Sequence, residues 1–252
     1  MYPFYKLLFF ELLVPFFTTA QTYQPGAIVK LNGDTLHGYI NYGNWETMPK
    51  HLSFKSNFDA PPVKYSASEI TYFNVSVGNL QEYQSYIGPI TTDNPEINHL
   101  HIGKDTSFRT DTVFLKIMQR GKVINLFSYA DNTKVHYFIS NPPGGVPEEL
   151  IYRVYYNSEV ENGRDRSVYD RTYMKQLAAI SEKVNDPALT EAIFKAEFTE
   201  SDLINIAARI NGISDKAILA KGKSHLNPVK LILITTLLIV LYFSKISFMH
   251  SK

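Results

Sequence analysis

The chain has 252 residues, enough for one or two domains. A formal net charge of +1 and 44% hydrophobic residues exclude a disordered chain and a polyelectrolyte built to hold nucleic acid. There is no cysteine, which removes disulfides, thiolate metal sites, cysteine nucleophiles and the lipidated cysteine of a bacterial lipoprotein.

Residues 1–20 read as a secretory signal peptide. Lys6 supplies the positive start, Leu7 to Phe17 the apolar core (interrupted by Glu11), and Thr18-Thr19-Ala20 the small residues before a cut at Ala20–Gln21. Residues 21–156 then predict an antiparallel β domain, a curled sheet or a small barrel or sandwich. The 17 Tyr and 16 Phe of the chain suit strands. Asn32-Gly33 between Ala27–Leu31 and Thr35–Tyr42 predicts a hairpin whose two central residues have positive φ. Short strands are expected at His51–Lys55, Val63–Tyr65, Ile70–Val75 and within Gln81–Thr91. A long polar loop, Thr92 to Asp111, precedes a three-stranded meander over Thr112–Gln119, Val123–Tyr129 and Val135–Ile139. Asn141-Pro142-Pro143-Gly144-Gly145-Val146-Pro147 breaks the pattern. Glu148-Glu149 after it reads as the acidic first turn of a short element.

From Tyr169 the apolar period becomes helical, with Met174, Leu177, Ala178, Ser181 and Val184 on one stripe. Asp186-Pro187 is an N-cap followed by proline at the first helical position, and Thr199 caps a further helix that stops at Asn211-Gly212. Residues 157–213 thus predict a helical bundle, and 214–228 a basic linker. Residues 229–249 predict a transmembrane helix, being close to the ~20 apolar residues a span needs. Leu231, Ile232, Leu237, Leu238, Ile239, Val240 and Leu241 form its body, with Lys230 and Lys245 near its ends and a tail of 250–252. The predicted fold class is therefore α+β: antiparallel β domain, small helical bundle and single C-terminal transmembrane helix.

Val29-Lys30-Leu31-Asn32-Gly33-Asp34-Thr35-Leu36-His37-Gly38-Tyr39-Ile40 resembles the opening of a group of uncharacterised exported proteins from Bacteroidetes-type bacteria. Glu69–Phe73, Asp111–Lys116, Tyr137–Ile139 and Pro147–Tyr152 follow the same pattern, so the resemblance spans roughly Tyr23 to Gly212. Many members continue into an outer-membrane β-barrel. This chain departs there, because Leu231 to Phe243 is unbroken apolar sequence where a barrel strand alternates. The resemblance implies no catalytic residue.

Taken together, the sequence predicts a membrane-anchored cell-envelope binding or scaffold module without catalytic activity. Its body would lie outside the cytoplasm, on the periplasmic side, with the inner or outer membrane left open. Its partners would be the lipid bilayer and an envelope protein or glycan, not nucleic acid, and no cofactor is implied. Tyr39, Tyr42, Trp45 and Tyr72 are the candidate aromatic binding face. One alternative is an envelope hydrolase drawing its acid or base from Asp105, Asp111, Glu159 or Glu161. Another is the globular part of a truncated outer-membrane barrel protein. His99-Leu100-His101 lacks the further ligands of a closed zinc site. Gly222-Lys223-Ser224 is not a phosphate-binding loop, since Ala217 stands where its first glycine belongs.

Overall fold

A computed structural model describes residues 23–43, 45–157, 167–184 and 186–213. The sheet starts as its first turn predicts, with one difference. Strands β1 (Tyr23–Lys30) and β2 (Thr35–Asn41) pair antiparallel. Gly33 N donates to Lys30 O at 3.0 Å, so Leu31-Asn32 are the central pair and Gly33 follows at φ +89°. Asn32 Oδ1 accepts from Asp34 N at 3.1 Å, a local turn bond that fixes this form. The left-handed conformation therefore falls on the glycine, the residue that bears it at least cost.

The remaining strands of the sheet are β3 (His51–Lys55), β4 (Val63–Ser66), β5 (Ile70–Val77), β6 (Asn79–Thr91), β7 (Phe108–Gln119), β8 (Asn125–Ala130), β9 (Val135–Ser140) and β10 (Glu148–Glu149). Their order is β10-β9-β8-β7-β6-β5-β1-β2-β3-β4, one open ten-stranded sheet. β7 begins four residues earlier than the alternation suggests, because Thr91 pairs with Phe108 and closes the base of the intervening loop. Its Ile117–Gln119 stretch carries a register shift against β8. A separate two-stranded ribbon joins β11 (Arg153–Tyr156), at the end of the predicted β domain, to β12 (Ser167–Asp170), inside the range predicted as helical bundle. Both edges of the large sheet are short: β4 has four residues after Pro61-Pro62 and β10 has two.

Among the described residues three helices follow: α1 (Thr172–Ser181), α2 (Pro187–Lys195) and α3 (Glu200–Ile210). Asp186 accepts from Ala188 N and Thr199 accepts from Asp202 N, each satisfying a helix-start donor. α3 ends at Gly212 (φ +66°), with Ile213 N donating to Ala208 O at 2.9 Å. The helices cover Leu126, Tyr137 and Ile139, and together they form one apolar cluster with Leu177, Leu189, Ile193, Leu203 and Ile206. A second cluster holds Ile28, Ile40, Phe73, Val75 and Tyr83, and a third holds Tyr86, Leu115, Phe127 and Phe138. Strand β9 joins two of them: Tyr137 and Ile139 meet the helices, while Phe138 enters the third cluster on the opposite face.

A polar pin ties α3 to the sheet. Asn211, at the end of α3, accepts at Oδ1 from Val123 N (2.9 Å) and Ile124 N (3.0 Å) and donates from Nδ2 to Ile124 O (2.9 Å). Gly121 leaves the space for it; a Cβ there would run into the Asn211 carboxamide.

These findings correct the predicted fold class. Of the forms left open for the β part, it takes that of an open sheet, not a barrel. Among the described residues no helix is long and apolar enough to cross a membrane. The predicted span 229–249, with Leu231, Ile232, Leu237, Leu238, Ile239, Val240 and Leu241, lies outside the described residues, as do the predicted signal peptide and linker. The single transmembrane helix is accordingly withdrawn. With it go the lipid bilayer as partner and the membrane-attached location that depended on it.

Candidate functional site

The four aromatic residues predicted as a binding face are divided by the pleat. Tyr42 and Trp45 pack ring to ring (4.8 Å), and Trp45 lies edge-on to Phe73 (6.1 Å) and Tyr83 (5.8 Å) against the second cluster. Tyr72 precedes the buried Phe73 in β5, so it projects from the other face. There it donates to Glu82 at 2.8 Å and lies beneath Arg120. Tyr39 rests on Phe58 with centroids 4.1 Å apart.

The carboxylates nominated for hydrolysis do not converge. Asp105 accepts from Ser107 N at 2.9 Å in an exposed loop, and the Ser107 hydroxyl, then this backbone bond, hold its carboxyl below the ordinary value. Asp111 sits on β7 against Arg109. Glu159 and Glu161 lie outside the described residues. His99 pairs with Glu96 and His101 with the Gly103 carbonyl. Among the described residues no three metal-ligating groups cluster.

Glu149, expected in a solvated first turn, is instead a buried strand residue at the centre of a charged network. His136 is 1% exposed, and its Nδ1 lies 2.6 Å from Glu149 Oε1. Thr91 donates to the same carboxylate from N (2.8 Å) and Oγ1 (2.7 Å). Asp131 Oδ2 stands 3.3 Å from His136 Nε2 and accepts from Arg109 Nη2 at 2.8 Å. Burial pushes both carboxyls up, but their partners outweigh it. His136 and Thr91 hold Glu149 below its ordinary value, and Arg109 with the backbone N–H groups of Lys134 and Thr133 brings Asp131 to about 2. A second set continues from it: Lys134 Nζ donates to Asp93 (2.8 Å), Arg153 approaches Asp93 and Asp170, and Lys104 pairs with Asp170 (2.7 Å). These groups pair as ions inside the fold, although Asp93 Oδ2, His136 Nε2 and Arg153 Nε are buried without a hydrogen bond. They clamp the loop after β6, the β8–β9 turn, β10 and the β11–β12 ribbon together.

From Glu149 a chain of bonds leads to the surface. Gln176 of α1 donates to Glu149 O (2.9 Å) and accepts from Ile151 N (2.8 Å), and Ile151 O accepts from Tyr173 N (2.8 Å). It ends at a cleft of ≈ 270 Å³ lined by Tyr152, Arg171, Tyr173, Glu197, Phe198 and Thr199. The residues come from three places: the β10–β11 link, the start of α1, and the α2–α3 turn. Tyr152 stacks on Phe198 (centroids 4.9 Å, 19° between planes), and Tyr173 is 4.9 Å from the same ring. Burial raises the Tyr152 phenol against the pull of Arg171. Tyr173 Oη is engaged with Ala196 O at 2.7 Å, which fixes the floor. Glu197 N donates to Asp202 Oδ2 at 2.7 Å, which fixes the turn. No local sequence signal unites residues so far apart in the chain; only the docking of the helices assembles them.

No family model matches the chain, and no curated protein or solved structure is detectably similar to it. Nothing among the described residues supports the envelope hydrolase or the truncated-barrel alternative. The described carboxylates stand apart, and the sheet is open.

Proposed function

We propose that this domain is a recognition module that binds its ligand in the cleft between the β10–β11 link and the helices. The observation that carries this reading is a contrast in how polar groups are engaged. His136 and Glu149 are buried and bonded to each other, and Asp131 is tied to Arg109 beside them. Around the Tyr152–Phe198 floor, Arg171 and Glu197 are exposed. A concave aromatic surface rimmed by a few available polar groups is the usual make-up of a ligand site. The rigid strands and the pinned helices hold the rim in place, which lowers the ordering cost of binding. We also propose kinship with the bacterial group that the Val29–Ile40 stretch resembles; this kinship supplies no site residue.

The test is an NMR titration of the full chain with a library of amino acids, short peptides, sugars and nucleotides. We expect at least one compound to move the amide signals of residues 152, 171, 173 and 197–199 saturably. Tyr152→Leu, which keeps apolar volume and removes the phenol, should weaken that binding roughly tenfold, the scale of about 1.4 kcal/mol. A library that leaves those signals in place would sink the reading.

A further inference from the structure

The available groups of the cleft also say what kind of ligand fits, provided the recognition reading above holds. Arg171 and Glu197 are of opposite sign and line the same cleft. Neither side chain makes an ion pair or hydrogen bond among the described residues. Oppositely charged neighbours that do not pair with each other leave two separate positions to be filled, one for an anion and one for a cation. A guanidinium presents a planar fork that matches a carboxylate. The Tyr152 and Phe198 rings line the same cleft and offer its apolar floor. The volume of ≈ 270 Å³ falls just below the roughly 300–1,000 Å³ of drug-sized sites, so the occupant is one or two residues in size.

We infer that the cleft binds a free α-amino carboxylate with an apolar side chain. The carboxylate pairs with Arg171, the ammonium with Glu197, and the side chain lies on the Tyr152–Phe198 floor. Each end of the ligand is recognised by a different residue, so the two contacts can be removed independently on either partner.

The experiment titrates the full chain with L-phenylalanine, N-acetyl-L-phenylalanine and L-phenylalaninamide, followed by NMR at residues 171 and 197–199. We expect the free amino acid to bind roughly tenfold more tightly than either blocked form, the effect of one charge-assisted bond. Arg171→Gln should abolish the preference over the amide and leave the preference over the N-acetyl form. Glu197→Gln should do the reverse. Both side chains are exposed, so neither change threatens the fold. Equal binding of free and blocked forms, or variants that do not act on their own end of the ligand, would overturn the inference. If these probes leave the cleft signals still while another library compound moves them, the ligand class is wrong and the recognition reading stands. If nothing moves them, both fall.

Discussion

At the scale of the residue, the most consequential position is His136. It is enclosed between Glu149 and Asp131, with the Tyr129 ring 5.7 Å away. Removing one member of such a set leaves buried charge without its counterpart, which costs about 3–5 kcal/mol. The two carboxyls also set the response to acid. Both are depressed in the folded state, so each contributes stability above its unfolded pKa and loses it as pH falls through the folded one. For Asp131 the window runs from near 3.8 down to about 2. Urea denaturation at pH 7, 4 and 2.5 should show stability falling by on the order of 2 kcal/mol across that window. Asp131→Asn should be less stable at pH 7 and lose less on acidification; an unchanged acid slope in that variant would argue against the assignment. Little of this was legible in advance. Glu148-Glu149 is adjacent acid in the sequence, and only the pairing of Glu149 with Phe138 in β9 turns the second one inward to His136.

At the scale of the element, local chemistry was legible and pairing was not. The caps at Asp186 and Thr199 and the stop at Gly212 are read from residues that lie within a few positions of each helix end. The alternation of Val113, Leu115 and Ile117 marks β7 correctly, but its first residues are Phe108-Arg109-Thr110-Asp111, whose polarity suggests loop. They are strand because Gly88 to Thr91 of β6 supplies a partner from across the loop. Asn211 shows the same limit. Asn-Gly after a helix signals a stop, and nothing near it signals that the carboxamide satisfies three backbone groups of the β7–β8 turn. Asn211→Ala should therefore destabilise the domain by roughly 2–3 kcal/mol, more than an exposed helix end would, because it leaves backbone donors unmet. Gly121→Ala should produce a loss of the same order by displacing the side chain. Chemical denaturation of both variants and of the double variant checks this. The double loss should fall well short of the sum, since both changes break the same contact.

At the scale of the whole molecule, sheet and helices share a strand that enters two apolar clusters. β9 has five of its six residues buried, and it presents Tyr137 and Ile139 to the helices and Phe138 to the sheet's own cluster. A strand shared in this way ties the melting of one layer to the other. Phe138→Ala should cost about 3–5 kcal/mol. It should lower the helical and the aromatic unfolding signals together, and two separated transitions in the circular dichroism and fluorescence melts would contradict the account. The predicted division at residue 157 lies ahead of the change of apolar period at Tyr169, and a period reports on local structure and carries no information about layers sharing a strand. The edges of the sheet have a separate consequence. β4 lies behind Pro61-Pro62 with Lys64 within it, and β10 spans only Glu148-Glu149. Strands this brief expose too little unpaired backbone for another chain to copy. Ten strands is thus a size the molecule can keep when crowded by its own kind, without wrapping the sheet into a closed cylinder.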